Sequence, residues 1–380
     1  MSQAKFDKKG ILNTMDKYSL TLRELNRATL ARQLLLERAP LTASEALKRL
    51  VGLQAQLANP PSIGLWTRLK SFQHEDLSNL IQDRLAVRAT TMRSTLHLMC
   101  SSNYMMLRPA LQPALTHALH AFFPKESKSI DVIPFVEVIR EYVQEQPRTF
   151  VEIRAKLLEV FPNTDPALMA YIVRTHLPLV QTFPGGTWNF TGSPTHALAE
   201  SWIEKPFAGS EESLHYLILC YLASFGPASI KDIQMWSGLS KLKGVLDAMR
   251  SELYTYRDEQ GTELFDLPDI PLPTTNASAP PRFLPEFDNL LLAYVNRSRI
   301  IPAPFHSSVF LTVGRVRATF LVDGFVAGTW KVQRAKEIAK LIVEPFELLS
   351  KSIRSELLIE GERLIHFLEN DAKSFEVQFA

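Results

Sequence analysis

The sequence predicts an α+β fold: three tandem helix-rich modules, each closed by a strand pair, then a small β domain with a closing helix. Three observations predict it. The order helix, helix, helix, strands recurs three times, and it is the order of a winged helix-turn-helix. Capping-box pairs, Thr42 with Glu45 and Thr149 with Glu152, each precede an apolar run at helical spacing. Beyond a proline-rich stretch, 268–281, the pattern changes to strands. The boundaries that follow are a mobile polar segment 1–18, winged helices over 19–120, 121–205 and 206–270, and linker, β domain and C-terminal helix over 271–380.

In the first module, Leu22, Leu25, Ala28 and Leu36 set a helix over 21–38 that Pro40 stops. A second helix runs from the Thr42 cap to Gly52, and an extended stretch, 54–61, follows under the bias of Pro60 and Pro61. Helices at 62–69 and 76–82 precede a strand pair over 86–99, rich in β-branched residues. The second module has helices at 132–145, after Thr149, and at 166–176. Its wing is a hairpin in which LPLVQTF pairs with TWNF across Gly185-Gly186. The third has helices at 213–225, 229–236 and 241–250, and a hairpin turning near Gly261. FLPEFDNLLLAY, VFLTVGRVRATFLVDGFVAGTWKV and AKLIVEPF read as strands, and 348–368 as the closing helix. Trp188 and Trp330 then sit in strands, as core residues more readily than as rings that stack on a ligand.

Composition narrows the function. No stretch reaches the ~18 apolar residues of a membrane span. The first twenty residues carry Lys5, Lys8, Lys9 and Lys17 without an apolar run, which argues against a secretory signal. Two cysteines, Cys100 and Cys220, fit a reducing cytoplasm. The net charge of +2 hides an asymmetry: 1–120 carries +8 and 281–336 carries +5, against −2, −5 and −4 for the segments 121–210, 211–280 and 337–380. Brought together, the two basic segments would line one positive surface suited to a nucleic-acid backbone; a solvated surface of mixed sign is the plainer reading.

The motifs of common chemistries are absent. There is no HExxH or paired Cys/His spacing, no GxGxxG, no GxxxxGK[ST] and no G-x-S-x-G, so neither a metal nor a cofactor is expected. Glu286 and Asp288 flank an apolar strand, as buried functional groups or as caps of the strand entry, while Asp323 reads as a hairpin-turn residue. Lys241 and Lys243 open the last helix of the third module, suited to a phosphate contact or to a solvated helix end. The sharper feature is Gln54-Ala55-Gln56. In extended backbone, residues two apart point the same way, so both amides can address one ligand. A glutamine does not titrate; it can orient a water and stabilise positive charge through its carbonyl oxygen. Read from residue types alone, the plainer reading wins: a glutamine pair after a helix is usually a solvated or capping feature. By the same alternation, Arg93 and His97 share a face of the first wing, with Arg88 opposite; that face is the cleft beside the glutamines, or else Arg93 is a surface residue and His97 a packed one.

The segments TLRELNRATLARQLLL, VGLQAQLANPPSIGLWTRL, TTMRSTLHLM, LPLVQTFPGGTWNF, FGPASIKDIQMWSGL, RFLPEFDNLLLAY and FLVDGFVAGTW together resemble the bacterial winged-helix family that includes the AlkZ and YcaQ DNA glycosylases, over roughly Leu20 to Leu368. The resemblance implies tandem winged helices around a concave basic cleft and a monofunctional glycosylase. Its substrates would be N-alkylated purines of the N7-alkylguanine type in double-stranded DNA, bulky adducts and interstrand crosslinks included. Gln54 and Gln56 match the family's catalytic Gln-x-Gln. A functional hairpin of the family falls nearest to VNRSRIIPAPFHSSVF, whose Arg297, Arg299 and His306 would probe the duplex. Neither a cofactor nor an obligate protein partner is implied, and the setting is the cytoplasm, at the nucleoid. The alternatives are a non-enzymatic winged-helix DNA binder, such as a transcription regulator, and a protein-interaction scaffold.

Overall fold

The computed structural model describes residues 19–380, so the expected mobile segment 1–18 lies outside the described residues. The described residues form helices and three separate sheets, a mixed α+β architecture.

The expected capping boxes are present. Thr42 caps helix Ala43–Leu50 and Thr149 caps helix Phe150–Val160, each with its glutamate returning to the cap backbone. Thr21 with Glu24 and Ser229 with Asp232 do the same for Leu22–Arg32 and Ile230–Ser237. The first helix ends at Arg32, short of residue 38, where Leu34 takes a left-handed backbone. Pro60 and Pro61 open helix Pro60–Arg68 instead of extending the chain through 61, because a first-turn proline lacks only an N–H that would have no partner there.

Residues 101–122, unassigned in the sequence reading, form the long helix Ser101–Phe122 despite Pro109 and Pro113 inside it. It packs against Ser210–Phe225, and the two share a core with Trp236, Phe265 and Tyr294. The first and third helix-rich regions are thus one packed body.

The strand pairs of the first two regions also merge. One six-stranded sheet runs in the order Leu53–Gln54, Leu96–Cys100, Ala86–Thr90, Leu179–Gln181, Thr195–Leu198, Arg148–Thr149. Its seam is the pairing of Arg88 with Gln181 and Ala89 with Val180. The segment TWNF is not a strand: the partner of Leu179–Gln181 is Thr195–Leu198, and residues 183–189 make a turn. Trp188 therefore lies in a turn, half-buried and stacked on His74 at 4.0 Å between ring centres. Trp330 is in a strand and buried, as expected.

The hairpin Tyr254–Asp258 with Glu263–Asp266 turns at Gly261, with Ser19–Leu20 added in parallel. The C-terminal sheet runs Arg282–Leu284, Thr319–Val322, Phe325–Ala335, Ile338–Pro345, Ser374–Phe379; its last strand, parallel to Ile338–Pro345, was not read from sequence. Helix Lys351–Leu368 covers it. The expected strand FLPEFDNLLLAY is strand only over Arg282–Leu284; Asp288 then caps the short helix Asn289–Leu292. The expected hairpin in 295–310 is a series of tight helical turns, Arg297–Arg299, Ala303–Phe305 and His306–Val309.

Two buried bidentate ion pairs hold the assembly around the Gln-x-Gln segment. Arg32 grips Asp266 at 2.6 and 2.7 Å, tying the first helix to the third region's hairpin. Arg68 grips Asp288 at 2.9 and 2.8 Å, with both side chains fully buried. Such pairs are strongly destabilising to break, because each removal strands a buried charge.

Candidate active site

The Gln-x-Gln segment is extended because the chain is turned sharply before it. Val51 ends its helix in a left-handed conformation and Gly52 follows at φ +105°. A Cβ at Gly52 would lie 3.0 Å from Met99 Cβ, so the close approach to the neighbouring strand requires glycine. Leu53–Gln54 then pairs antiparallel with Leu98 and His97. The Ala55 amide donates to the Leu96 carbonyl at 2.7 Å, and the Leu96 amide donates at 2.8 Å to Oε1 of Gln56. A side-chain amide thus stands in for the next rung of the ladder.

Each glutamine is oriented by an obligate donor. Arg93 Nη2 donates to Gln54 Oε1 at 2.8 Å, and a guanidinium cannot accept, so the oxygen faces Arg93. The Leu96 N–H fixes Gln56 in the same way. Gln54 is nearly buried and Gln56 is exposed. Each carbonyl keeps a second lone pair, and each amide an NH2 group.

The backbone is held from both sides. Asn289 Oδ1 accepts from the Gln54 amide at 3.1 Å, and Asn289 Nδ2 donates to the Gly52 carbonyl. Arg88 donates through Nε to the Ala55 carbonyl at 2.8 Å, through Nη2 to the Gln56 carbonyl at 3.2 Å and through Nη1 to Gln181 Oε1 at 2.8 Å. Sequence alternation placed Arg88 on the opposite face and gave it no task; it is the residue that grips the motif. Asn289 was hidden in an expected strand, and the only signal for it was the preceding Asp288, a cap residue.

Arg93 is not on a strand face. It sits in a tight turn between strands at φ +54°, and its Nη1 donates to the Trp236 carbonyl at 2.5 Å. Burial, and then the charge of Arg297, lower its pKa to about 10, so it is cationic at neutral pH; burial lowers the pKa of Arg297 as well. Arg297 lies over Phe310 and shares a 3.1 Å hydrogen bond with His306 Nε2, while its own Nε is buried without a partner. The structure therefore brings together Gln54, Arg93, Arg297 and His306.

Other expected residues fall elsewhere. His97, the cross-strand partner of Gln54, is fully buried and not open to a cleft; desolvation, then Arg93, push its pKa to about 3, and it is neutral. Arg299 is buried, donates to the Pro227 carbonyl at 3.0 Å and lies over Tyr294, which removes it from any duplex contact. Asp288 is consumed by Arg68 and by its cap. Glu286 is raised by burial and lowered by Arg315, 3.8 Å away, in a groove that also takes in Asn59, Trp188 and Lys331. Lys241 precedes helix Lys243–Ala248, and Lys243 pairs with Asp247 at 3.3 Å on an exposed face.

The model of the DNA glycosylase AlkZ-like family matches residues 47–367, which contain both glutamines, Arg93, Asn289 and Arg297. The chain belongs to this family. DNA glycosylases are hydrolases of N-glycosyl bonds, and this chain is an enzyme of that class. An interstrand DNA cross-link repair glycosylase of Streptomyces sahachiroi is 26% identical over 340 residues, covering 83% of this chain and 88% of that protein. The solved structure of the S. sahachiroi DNA glycosylase AlkZ superposes with a TM-score of 0.79 at 19% identity, covering 95% of this chain and all of the other. Membership in the AlkZ-like family does not favour the regulator reading. No described helix is long and apolar enough to cross a membrane.

Proposed function

We propose that this AlkZ-like chain releases N-alkylated purines of the N7-alkylguanine type from duplex DNA, bulky adducts and interstrand crosslinks included, and that Gln54 and Gln56 carry the chemistry. The observation that supports this most directly is the pair of amides two residues apart on extended backbone, each pinned by a donor that admits one orientation only. Alkylation at a purine ring nitrogen makes the base cationic, so it departs neutral and needs little acid catalysis. What remains is to hold a water at the sugar and to tolerate an oxocarbenium-like centre. The second lone pairs of the two carbonyls supply both without a titrating group, and the carboxylate pair of ordinary glycosidases is not required.

On this reading, the three helix-and-strand units are winged-helix modules around one concave DNA cleft. Arg93, Arg297 and His306, and Lys241 and Lys243, meet the backbone, and the enzyme works in the cytoplasm at the nucleoid. The test is base release from duplex carrying N7-alkylguanine monoadducts or mustard crosslinks, read by alkaline cleavage at the abasic site. Gln54→Ala and Gln56→Ala should each slow release by about 10²–10³-fold, the cost of losing one positioned electrostatic group, with duplex affinity kept. Release at the wild-type rate by both variants would remove the glutamines from the mechanism.

A further inference from the structure

A pocket of about 290 Å³ opens beside Gln56, at the seam where the first two strand pairs join. Gln56, Arg88, Thr90, Arg174, Gln181 and His196 line it, and none of its lining side chains is a carboxylate. Arg88 is buried, and its partners are two backbone carbonyls and a side-chain amide, with no ion pair among the described residues. Burial lowers its pKa to about 10, so it is cationic at neutral pH and its charge is uncompensated. Arg174, exposed at the mouth, lies over the Phe150 ring at 5.0 Å and has no hydrogen-bond or carboxylate partner among the described residues. His196 is over nine-tenths buried, and its Nδ1 has no hydrogen-bond partner among the described residues. Gln181 gives its oxygen to Arg88, which turns its NH2 group outward as a further donor.

A small pocket rich in donors, holding two guanidiniums and no carboxylate, is built for an oxyanion. Its wall includes Gln56, so the anion sits one side chain from the proposed reacting centre. We infer that this pocket takes a phosphodiester of the DNA strand flanking the target nucleotide, with Arg174 and Arg88 as its cationic contacts. The inference rests on the glycosylase reading for its register on DNA. It gives the motif two cationic neighbours, this pocket beside Gln56 and Arg93 with Arg297 beside Gln54, each of which would hold a stretch of backbone near the sugar.

The test uses the full chain and duplex-binding isotherms over a range of salt. Each phosphate contact contributes about −0.9 to the slope of log K against log salt. Arg174→Gln should make the slope shallower by about 1. Val151→Glu, at an exposed rim position, should do the same by placing a carboxylate where the phosphate binds. Lys373→Gln, remote in the C-terminal region, should reduce it less than either. On a duplex with an abasic-site analogue, a methylphosphonate flanking that site should weaken wild type and leave Arg174→Gln unchanged. Wild-type slopes in both pocket variants overturn the inference. So does a change in Arg174→Gln alone, which would place Arg174 at an outer surface, and so do additive effects of methylphosphonate and Arg174→Gln. The Gln54→Ala variant separates the two readings: it should lose base release and keep the wild-type slope, and if it retains base release the catalytic assignment falls while the slopes still decide the pocket.

Discussion

Asn289 makes no proposed contact with substrate, yet it should control the rate. Its side chain accepts from the Gln54 amide at 3.1 Å and donates to the Gly52 carbonyl, in a position only 3% exposed. In Asn289→Ala, one buried N–H and one buried C=O lose their partners. Each costs about 1–3 kcal/mol when left unpaired. Relaxation and a water entering the vacated volume offset part of this, so the expected loss is about 2–4 kcal/mol of unfolding free energy, read as a lower denaturant midpoint at constant m. The same loss frees the backbone that aims Gln54. Displacement of a positioning group by an ångström costs about 10²-fold in rate, so single-turnover base release should fall by about 10–100-fold. Duplex affinity, set by arginines on other elements, should change little. Asn289→Asp keeps the acceptor but sets a carboxylate against the Gly52 carbonyl, and should be no better than alanine. The assay is single-turnover release on an N7-alkylguanine duplex beside equilibrium denaturation. If Asn289→Ala retains the wild-type midpoint and rate, the clamp does not position the motif.

Three further outcomes follow from the same geometry. His97 and His196 are held neutral with pKa values of about 3 and about 4, chiefly by burial, and both titrate near ~6.5 when unfolded. Their contribution to stability is therefore complete above about pH 6.5. It is lost as pH falls toward the folded values, at about 1.4 kcal/mol per pH unit for each histidine, and His97→Gln should flatten the acid limb of a denaturation series. Base release should be level from about pH 6.5 to 8.5, since neither glutamine titrates; a rate that follows one ionisation in that window would call for another catalytic group. Gly52→Ala should cost about 1–3 kcal/mol, because φ is +105° and the new Cβ meets Met99 Cβ at 3.0 Å, and it should slow base release along with Gln54 displacement.

What was legible in the sequence was local. Thr42 with Glu45 and Thr149 with Glu152 mark helix starts because the cap needs only residues three apart. The extended run through Gln54 was readable from the turn at Gly52. Helix Ser101–Phe122 was not, because its two prolines argue against a helix that tertiary packing on Ser210–Phe225 sustains. Alternation failed at Arg93, since a left-handed turn residue does not obey the two-residue period of a strand. It failed more instructively at Arg88. Its carbonyl partners lie 32 and 33 residues away and Gln181 lies 93 away, so no spacing rule reaches them. TWNF was mistaken for a strand because the true partner, Thr195–Leu198, lies beyond a longer turn.

A cationic alkylpurine and a developing oxocarbenium are both repelled by Arg93 and Arg297 when those charges are bare. At about 4 Å and an effective dielectric near ~20, one such repulsion is about 4 kcal/mol. Phosphate oxygens placed between the guanidiniums and the sugar reverse its sign, leaving the glutamine carbonyls as the dipoles nearest the reacting carbon. The arginines then serve catalysis only when the backbone of the target strand is engaged. A free N7-alkylated nucleoside, which brings the cationic base without the phosphates, should be cleaved no faster than in buffer even where the same base in duplex is released.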